Sequence, residues 1–392
     1  MYDVENIRAD FPVLKDNIYL DNAATTQTPV QAVRAMEEYF FKYAANHGRG
    51  AHHLARQTTD HFENARETIA DLLNCPAENT IFTKNATEGL NLIARGIEWQ
   101  DGDHIITTLI EHHSDLLPWM ELRERGVELT IVEPDNEGHV SVEALEQHIR
   151  PSTRLVAVTH ISNSFGSIQD ANGICKLARD HGSLCLIDGS QSAGHMPVNL
   201  KQMDCDFFTT PGHKGLLGPQ GTGVTYIKEP ELIKPLIIGG GAVRSVTTTG
   251  YELEEAPARF EAGTPNIPGG IGLGRAVKYV QEIGVSDIEK HERRLAQNAA
   301  YRLAQIEGVE VYGPPDRGAV VPFNVLGLNP HDVAMILDET RQICLRSGYH
   351  CAMPGIDFMK IEGTVRASFA LYNTEEEVDA LVEAVEQITT LA

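Results

Sequence analysis

Between residues 104 and 237 the chain alternates short apolar runs with amphipathic stretches. His104–Thr108, Glu128–Glu133, Leu155–Thr159, Ser183–Asp188, Phe207–Thr209 and Gly223–Ile227 read as strands. Runs of this length, apolar at nearly every position, suit strands buried on both faces. Residues 114–125, 141–149 and 171–181 between them read as helices, and the alternation predicts a mostly parallel sheet covered by helices. Upstream, residues 1–16 carry Ile7, Phe11 and Leu14 at helical spacing and read as a short docking helix. A short strand at 18–20 runs into the small residues Asn22-Ala23-Ala24-Thr25-Thr26. Helices are expected over 30–46 and 57–74, then a strand at Ile81–Lys84 followed by a helix carrying Leu90, Leu92, Ile93 and Ile97. Residues 228–268 look loop-rich. Helices at 268–283 and 286–306 precede a tail, 307–392, of strands and helices in mixed order. That tail suits a smaller domain with helices on one face of a sheet.

Composition narrows the class. With 392 residues, 42% of them hydrophobic, the chain can bury a large core, most simply in two domains. The 55 acids outnumber the 32 bases for a formal net charge of −23, a surface that repels nucleic acid and anionic membrane. The acids are dispersed, as for solubility. Six cysteines, at 75, 175, 185, 205, 344 and 351, form no Cys-x-x-Cys pair and no zinc spacing. Cys185 and Cys205 sit in apolar runs, as core residues do. Met1-Tyr-Asp-Val-Glu does not open like a secretory leader, and no apolar run approaches a bilayer span. The expectation is a cytoplasmic protein with no membrane contact. The histidines of Asn46-His47-Gly48-Arg49-Gly50-Ala51-His52-His53 have no acid or cysteine beside them in that segment, so no metal is expected. Arg49, between two glycines, suits an anion contact instead.

The chemistry concentrates in Phe207-Phe208-Thr209-Thr210-Pro211-Gly212-His213-Lys214-Gly215. A lysine placed there by flanking strands is open to burial, which disfavours the ammonium. A neutral amine condenses with an aldehyde. Alone, Gly-His-Lys would pass for a surface turn. Upstream, however, Leu184-Cys185-Leu186-Ile187 ends on Asp188, as at the carboxyl end of a buried parallel strand, where ligands of such sheets bind. A pyridoxal phosphate enzyme needs a lysine for the aldehyde and an acid against the ring nitrogen. Lys214 and Asp188 fit those two needs. The strand–turn–helix around Asn85-Ala86-Thr87 makes a phosphate cradle, with Thr87 adding a hydroxyl. Either Thr87 or Asn85 would also serve as a helix cap.

Asp188-Gly189-Ser190-Gln191, Gly212-His213-Lys214, Phe260-Glu261-Ala262-Gly263-Thr264-Pro265, Gly348-Tyr349-His350-Cys351-Ala352 and Val365-Arg366-Ala367-Ser368 follow one another in a familiar order. From about residue 18 onward the chain resembles the group II, SUF-type cysteine desulfurases and selenocysteine lyases, class V aminotransferase-like pyridoxal phosphate enzymes. The resemblance implies the type I fold of these enzymes: a large domain, 17–262, with a mostly parallel seven-stranded sheet, and a smaller α+β domain, 263–392, carrying the nucleophile loop. Residues 1–16 would pack with the small domain. Lys214 resembles the lysine that holds the cofactor aldehyde, Asp188 the partner of the ring nitrogen, and Gln191 the donor to the ring hydroxyl. His112 resembles the residue stacked on the ring, and Thr87 and His213 the phosphate ligands. Thr264 resembles a phosphate ligand given across a dimer interface, which implies a homodimer with shared sites. Arg366 and Asn163 resemble substrate-positioning residues, the arginine suited to a carboxylate. Arg49 matches an arginine near the site entrance. Cys351 resembles the sulfur-accepting nucleophile, which must act as a thiolate, with His350 in position by sequence to favour it.

Two positions depart from the family pattern. Pro211 stands where a serine or threonine often precedes Gly-His-Lys, and it has no hydroxyl, so Thr210 is the nearest replacement. Tyr349 stands where many members have histidine. The implied reaction converts L-cysteine to L-alanine and leaves sulfur as a persulfide on Cys351 for a sulfur-acceptor or iron–sulfur scaffold protein. The alternatives are a selenocysteine lyase, a cysteine sulfinate desulfinase, an aminotransferase or epimerase on the same scaffold, and a sulfur-carrier scaffold without catalysis.

Overall fold

The computed structural model describes residues 2–390. Met1 of the N-terminal segment and residues 391–392 of the small domain lie outside the described residues. The large sheet has seven strands: β1 (Thr80–Thr83), β2 (His104–Thr108), β3 (Glu128–Val132), β4 (Thr153–Thr159), β5 (Leu184–Asp188), β6 (Phe207–Pro211) and β7 (Gly223–Ile227), in the order β1-β7-β6-β5-β4-β2-β3. β7 runs antiparallel to both neighbours, and the other pairs are parallel. The expected mostly parallel seven-stranded sheet is therefore present. Its central strands are buried along nearly their whole length because successive residues feed different cores. Ile106, Val156, Val158, Ile187 and Phe208 join one cluster, and Ile105, Leu155, Ala157, Leu186 and Phe207 join another.

Helices α1 (His53–Leu73), α2 (Ala86–Gly96), α3 (His113–Glu121) and α4 (Ala171–Asp180) connect and cover these strands. α1 begins four residues earlier than the periodicity suggests, because the His52 ring accepts the Ala55 N–H and caps it. The helix expected over 30–46 stops at Glu38 and passes into a π-turn, Tyr39–Tyr43. The 228–268 segment contains a hairpin, β8 (Val243–Val246) with β9 (Tyr251–Leu253), which an apolar-run criterion missed because its side chains are mostly exposed. After it come α5 (Ile267–Ile283) and α6 (Val285–Leu303). A four-stranded antiparallel sheet follows: β10 (Val309–Val311), β11 (Val320–Val325), β12 (Arg346–Gly348) and β13 (Thr364–Ser368), ordered β10-β11-β13-β12. It packs with α6 and α7 (Glu375–Thr389) around Phe323, Val365, Leu381 and Leu295.

Ile7, Phe11 and Leu14 are buried among Ala276, Tyr279, Leu371 and Tyr372. The Tyr2 hydroxyl donates to the Leu371 carbonyl, and Arg8 pairs with Glu377 at 2.7 Å. Ile18–Tyr19 runs parallel to Ile343–Cys344, and Leu20 lies in the C-terminal core. The N-terminal segment thus packs against the C-terminal part of the chain before the large sheet begins.

α2 lies on the sheet at Gly89. A Cβ there would sit 2.1 Å from the Thr225 hydroxyl and 2.4 Å from that of Thr209, both fully buried. Gly89→Val should therefore cost about 1–3 kcal/mol through overpacking, read as a lower midpoint of chemical unfolding. An unchanged midpoint would show that the helix does not sit this close.

Candidate active site

A cavity of about 170 Å³ opens beyond the carboxyl ends of β4, β5 and β6, where the ligands of such sheets bind. Lys214, Asp188, Gln191, His112, Thr87, His213, Asn163 and Arg366 all line it, with Ala23, Ala24, Ser114 and Arg346. Residues from Ala23 to Arg366 meet here for separate local reasons. Asp188 is the last residue of β5, level with Thr159 of β4 and Thr209 of β6. Lys214 lies three residues past β6. Thr87 lies in the first turn of α2, and Asn85 is the cap, its side chain accepting the Glu88 N–H, so the Thr87 hydroxyl stays available. His112 caps α3, its Nδ1 accepting the Ser114 N–H.

Burial sets the electrostatics. Lys214 loses hydration, which lowers its pKa to about 8. Asp188 opposes that fall, while Arg366 and Arg346 add to it. Asp188 is raised by its own burial and held back by Ser190 and by Lys214. The Ser190 N–H and hydroxyl both donate to Asp188 Oδ1, at 2.9 and 2.5 Å. No protein donor among the described residues reaches the other oxygen. Burial, then the Lys214 charge, pushes His112 down to about 3, and burial pushes His213 down to about 4. Both rings are neutral near pH 7.

The donor set fits pyridoxal phosphate. A buried amine stands with a carboxylate that keeps one oxygen free. His213 Nδ1 is buried without a partner. The Thr87 and Ser114 hydroxyls sit 2.7 Å apart beside the start of α2, where free N–H groups and the helix dipole favour an anion. Ser114 is the hydroxyl that sequence reasoning missed. Thr210, the expected substitute at Pro211, is buried and turned to the Pro211 carbonyl, away from the cavity lining.

At the cavity mouth, Arg366 Nη2 donates to Asp21 at 3.0 Å and Nη1 to the Asn163 carbonyl at 3.1 Å. Its Nε is buried and unpartnered, a donor left for a ligand. Asn163 in turn donates to the His350 carbonyl at 2.7 Å. Cys351 follows on a strained turn in which His350 and Cys351 both have left-handed φ, 51° and 58°. The sequence expectation for His350 needs correction. Its ring turns inward, with Nε2 against Thr364 Oγ1 at 2.8 Å, and burial drives it down to about 2. The group that touches the Cys351 sulfur is Arg346, Nη2 donating at 3.4 Å. Arg346 pairs with Arg366 across β12 and β13, and that register is the signal that would have found it.

Two expected residues stand elsewhere. Thr264 is exposed on a second, largely apolar cavity of about 390 Å³, lined also by Phe82, Leu92, Leu236, Ile237 and Phe260. Arg49 is on the surface and donates to the Val243 carbonyl. His47, read as lacking an acid partner, pairs with Glu63 at 2.8 Å, because α1 brings that acid back beside the loop.

The family model described as aminotransferase class-V matches residues 18–381. The chain is 46% identical over 391 residues, 98% of each sequence, to a probable cysteine desulfurase of Methanothermobacter thermautotrophicus. Among solved structures it is similar to the apo structure of a cysteine desulfurase from Thermococcus onnurineus NA1, with a TM-score of 0.96 at 44% identity over 99% of this chain and 98% of that one. It is also similar to the cysteine desulfurase CsdA (S-sulfonic acid) from Escherichia coli, at 0.93 and 34% over 100% and 99%.

Capture of an aldehyde by Lys214 requires the neutral amine. In cofactor-free protein the rate of pyridoxal phosphate uptake, followed by visible absorbance, should rise with pH, reach half its maximum near pH 8 and level off above that. Asp188→Asn removes the charge that raises this pKa, so the midpoint should move to lower pH. A rate that kept climbing to the range of an exposed lysine would contradict the buried-amine assignment.

Proposed function

The chain belongs to the aminotransferase class-V family, and from that premise we propose that it is a pyridoxal phosphate-dependent cysteine desulfurase that takes L-cysteine to L-alanine. The convergence of the Lys214 amine, the Asp188 carboxylate and the Arg366 guanidinium on one buried cavity carries this reading. Lys214 would hold the cofactor through its aldehyde, with Asp188 for the ring nitrogen, Gln191 for the ring hydroxyl and the neutral His112 ring beside the pyridine. Thr87 and His213, with Ser114, would take the phosphate. When bound, the cofactor serves as the electron sink that makes the substrate α-proton labile and the carbon–sulfur bond breakable.

The chain's own groups do the rest. Arg366 and Asn163 orient the substrate carboxylate. The Lys214 amine, once free, takes the α-proton and returns a proton later; a depressed pKa suits both tasks. The Cys351 thiolate attacks the substrate sulfur. A sulfur–sulfur bond forms, the carbon–sulfur bond breaks with its electron pair left on the substrate side, and protonation yields alanine. The persulfide stays on Cys351, where Arg346 faces the sulfur. Cys351 is only partly buried, which supports onward transfer to an acceptor protein, for iron–sulfur cluster or other sulfur-cofactor assembly.

A homodimer with shared sites is supported by Thr264, which lies outside its own chain's Lys214 cavity on an apolar surface with Leu236 and Ile237. The division into residues 1–16, a large domain 17–262 and a small domain 263–392 is supported by the separate seven-stranded and four-stranded sheets. A cytoplasmic setting is supported by six free cysteines. No helix among the described residues is long and apolar enough to cross a membrane.

Cys351→Ala should keep the cofactor's visible absorbance and still bind cysteine, yet lower sulfide release by about 100-fold or more. Lys214→Ala should lose both the native cofactor spectrum and turnover. Alanine and sulfide measured together from L-cysteine provide the readout. Wild-type turnover by the Lys214→Ala protein would remove the central assignment.

A further inference from the structure

Arg66, on α1, is 2% exposed and takes no part in the chemistry above. Its guanidinium forms a two-pronged pair with Glu261, Nη1 to Oε1 at 2.6 Å and Nη2 to Oε2 at 2.9 Å. Nη1 also donates to the Thr80 carbonyl at 2.8 Å, and Nε to Glu63 at 2.8 Å. The plane lies over the Phe82 ring, 4.7 Å from its centroid. Glu261 also accepts the Phe82 N–H at 2.6 Å. One buried side chain therefore locks three pieces together: α1, the β1 edge of the large sheet, and the loop that runs Glu261-Ala262-Gly263-Thr264-Pro265. Glu63 extends the lock to His47 in the loop that carries Arg49.

Such a lock is costly as a stabilising device. Burying a guanidinium and a carboxylate loses hydration that a well-packed apolar pair would not lose. What a fork-to-carboxylate pair supplies is geometry, fixed in distance and plane. The loop it fixes ends three residues later at Thr264. That residue is exposed, with Gly263 in a left-handed φ of 90° before it and the Gly263 N–H donating to the Gly240 carbonyl. A hydroxyl on an exposed loop makes a useful phosphate contact only if the loop arrives already aligned, since ordering it on contact would cost about as much as the bond returns.

We propose that the Arg66–Glu261 pair is a positioning device that presents Thr264 to the cofactor phosphate of a second copy of this chain. The inference rests on the homodimer reading above. Arg66 touches neither cofactor nor substrate; it acts through the loop.

The readout separates alignment from general stability. Pyridoxal lacks the phosphate but keeps the aldehyde and ring. In the full-length protein, stripped and reloaded, Arg66→Lys and Glu261→Gln should each weaken pyridoxal phosphate binding by about tenfold, the worth of one hydrogen bond to a charged group. Pyridoxal binding should stay within twofold of wild type. Thr264→Ala should give the same selective loss, and all three proteins should keep the wild-type mass in solution. Equal weakening of both ligands, or loss of the dimer in Glu261→Gln, would overturn the proposal by reducing the pair to a structural support. A selective loss in Thr264→Ala without one in either pair variant would overturn the positioning role and leave the shared-site reading standing. No selective loss in Thr264→Ala would overturn both.

Discussion

The site depends on the opposition of one buried amine and one buried carboxylate. Each is costly alone, because the cavity takes away the water that would stabilise its charge. Asp188 pulls the Lys214 pKa up, and burial with two nearby arginines pulls it down, leaving it at about 8. An amine so placed can lose and regain its proton near neutral pH, which an exposed lysine cannot do. The same burial keeps His112 and His213 neutral, so an aromatic ring can be offered to a cofactor without a competing charge.

Everything around that pair serves to hold it in place. The parallel sheet brings the ends of β4, β5 and β6 level, so that Thr159, Asp188 and Thr209 share one rim. Ser190 fills one oxygen of Asp188 and leaves the other for a ligand. The C-terminal sheet closes the cavity from the opposite side with Arg366 and Arg346. Its contact with the N-terminal strand brings Asp21 onto Arg366. The cavity is thus made by both sheets, and neither provides it alone.

The two ends of the chemistry stand on different backbone. Asp188 is buried at the end of β5 and Lys214 is half-buried beside it, both lining the cavity. Cys351 stands on a partly exposed turn whose backbone holds two successive residues in left-handed conformations. A group inside the cavity suits repeated proton movement on a bound substrate. A turn at the surface suits a sulfur that must be collected inside and delivered outside.

The sequence by itself determined the parts that local chemistry writes into consecutive residues. Apolar runs gave away the buried strands, because a strand covered on both faces has few positions for polar side chains. Asp188 and Thr87 were legible because they stand at the end of a strand and the start of a helix, where such folds place ligands; Lys214 follows β6 in a glycine-flanked turn, and Arg366, in the middle of β13, was reached only through the family resemblance. What only the tertiary structure decided concerns neighbours far apart in the chain. His350 adjoins Cys351 in sequence, yet the turn sends its ring to Thr364, while the register of β12 against β13 sends Arg346 to the sulfur. His47 acquires an acid because α1 folds back over its loop. Thr264, expected at a phosphate by resemblance, faces another cavity, since loop position follows from packing against α1 and the sheet edge. Side-chain direction across a fold is set by backbone geometry and long-range packing, and adjacent letters do not encode it.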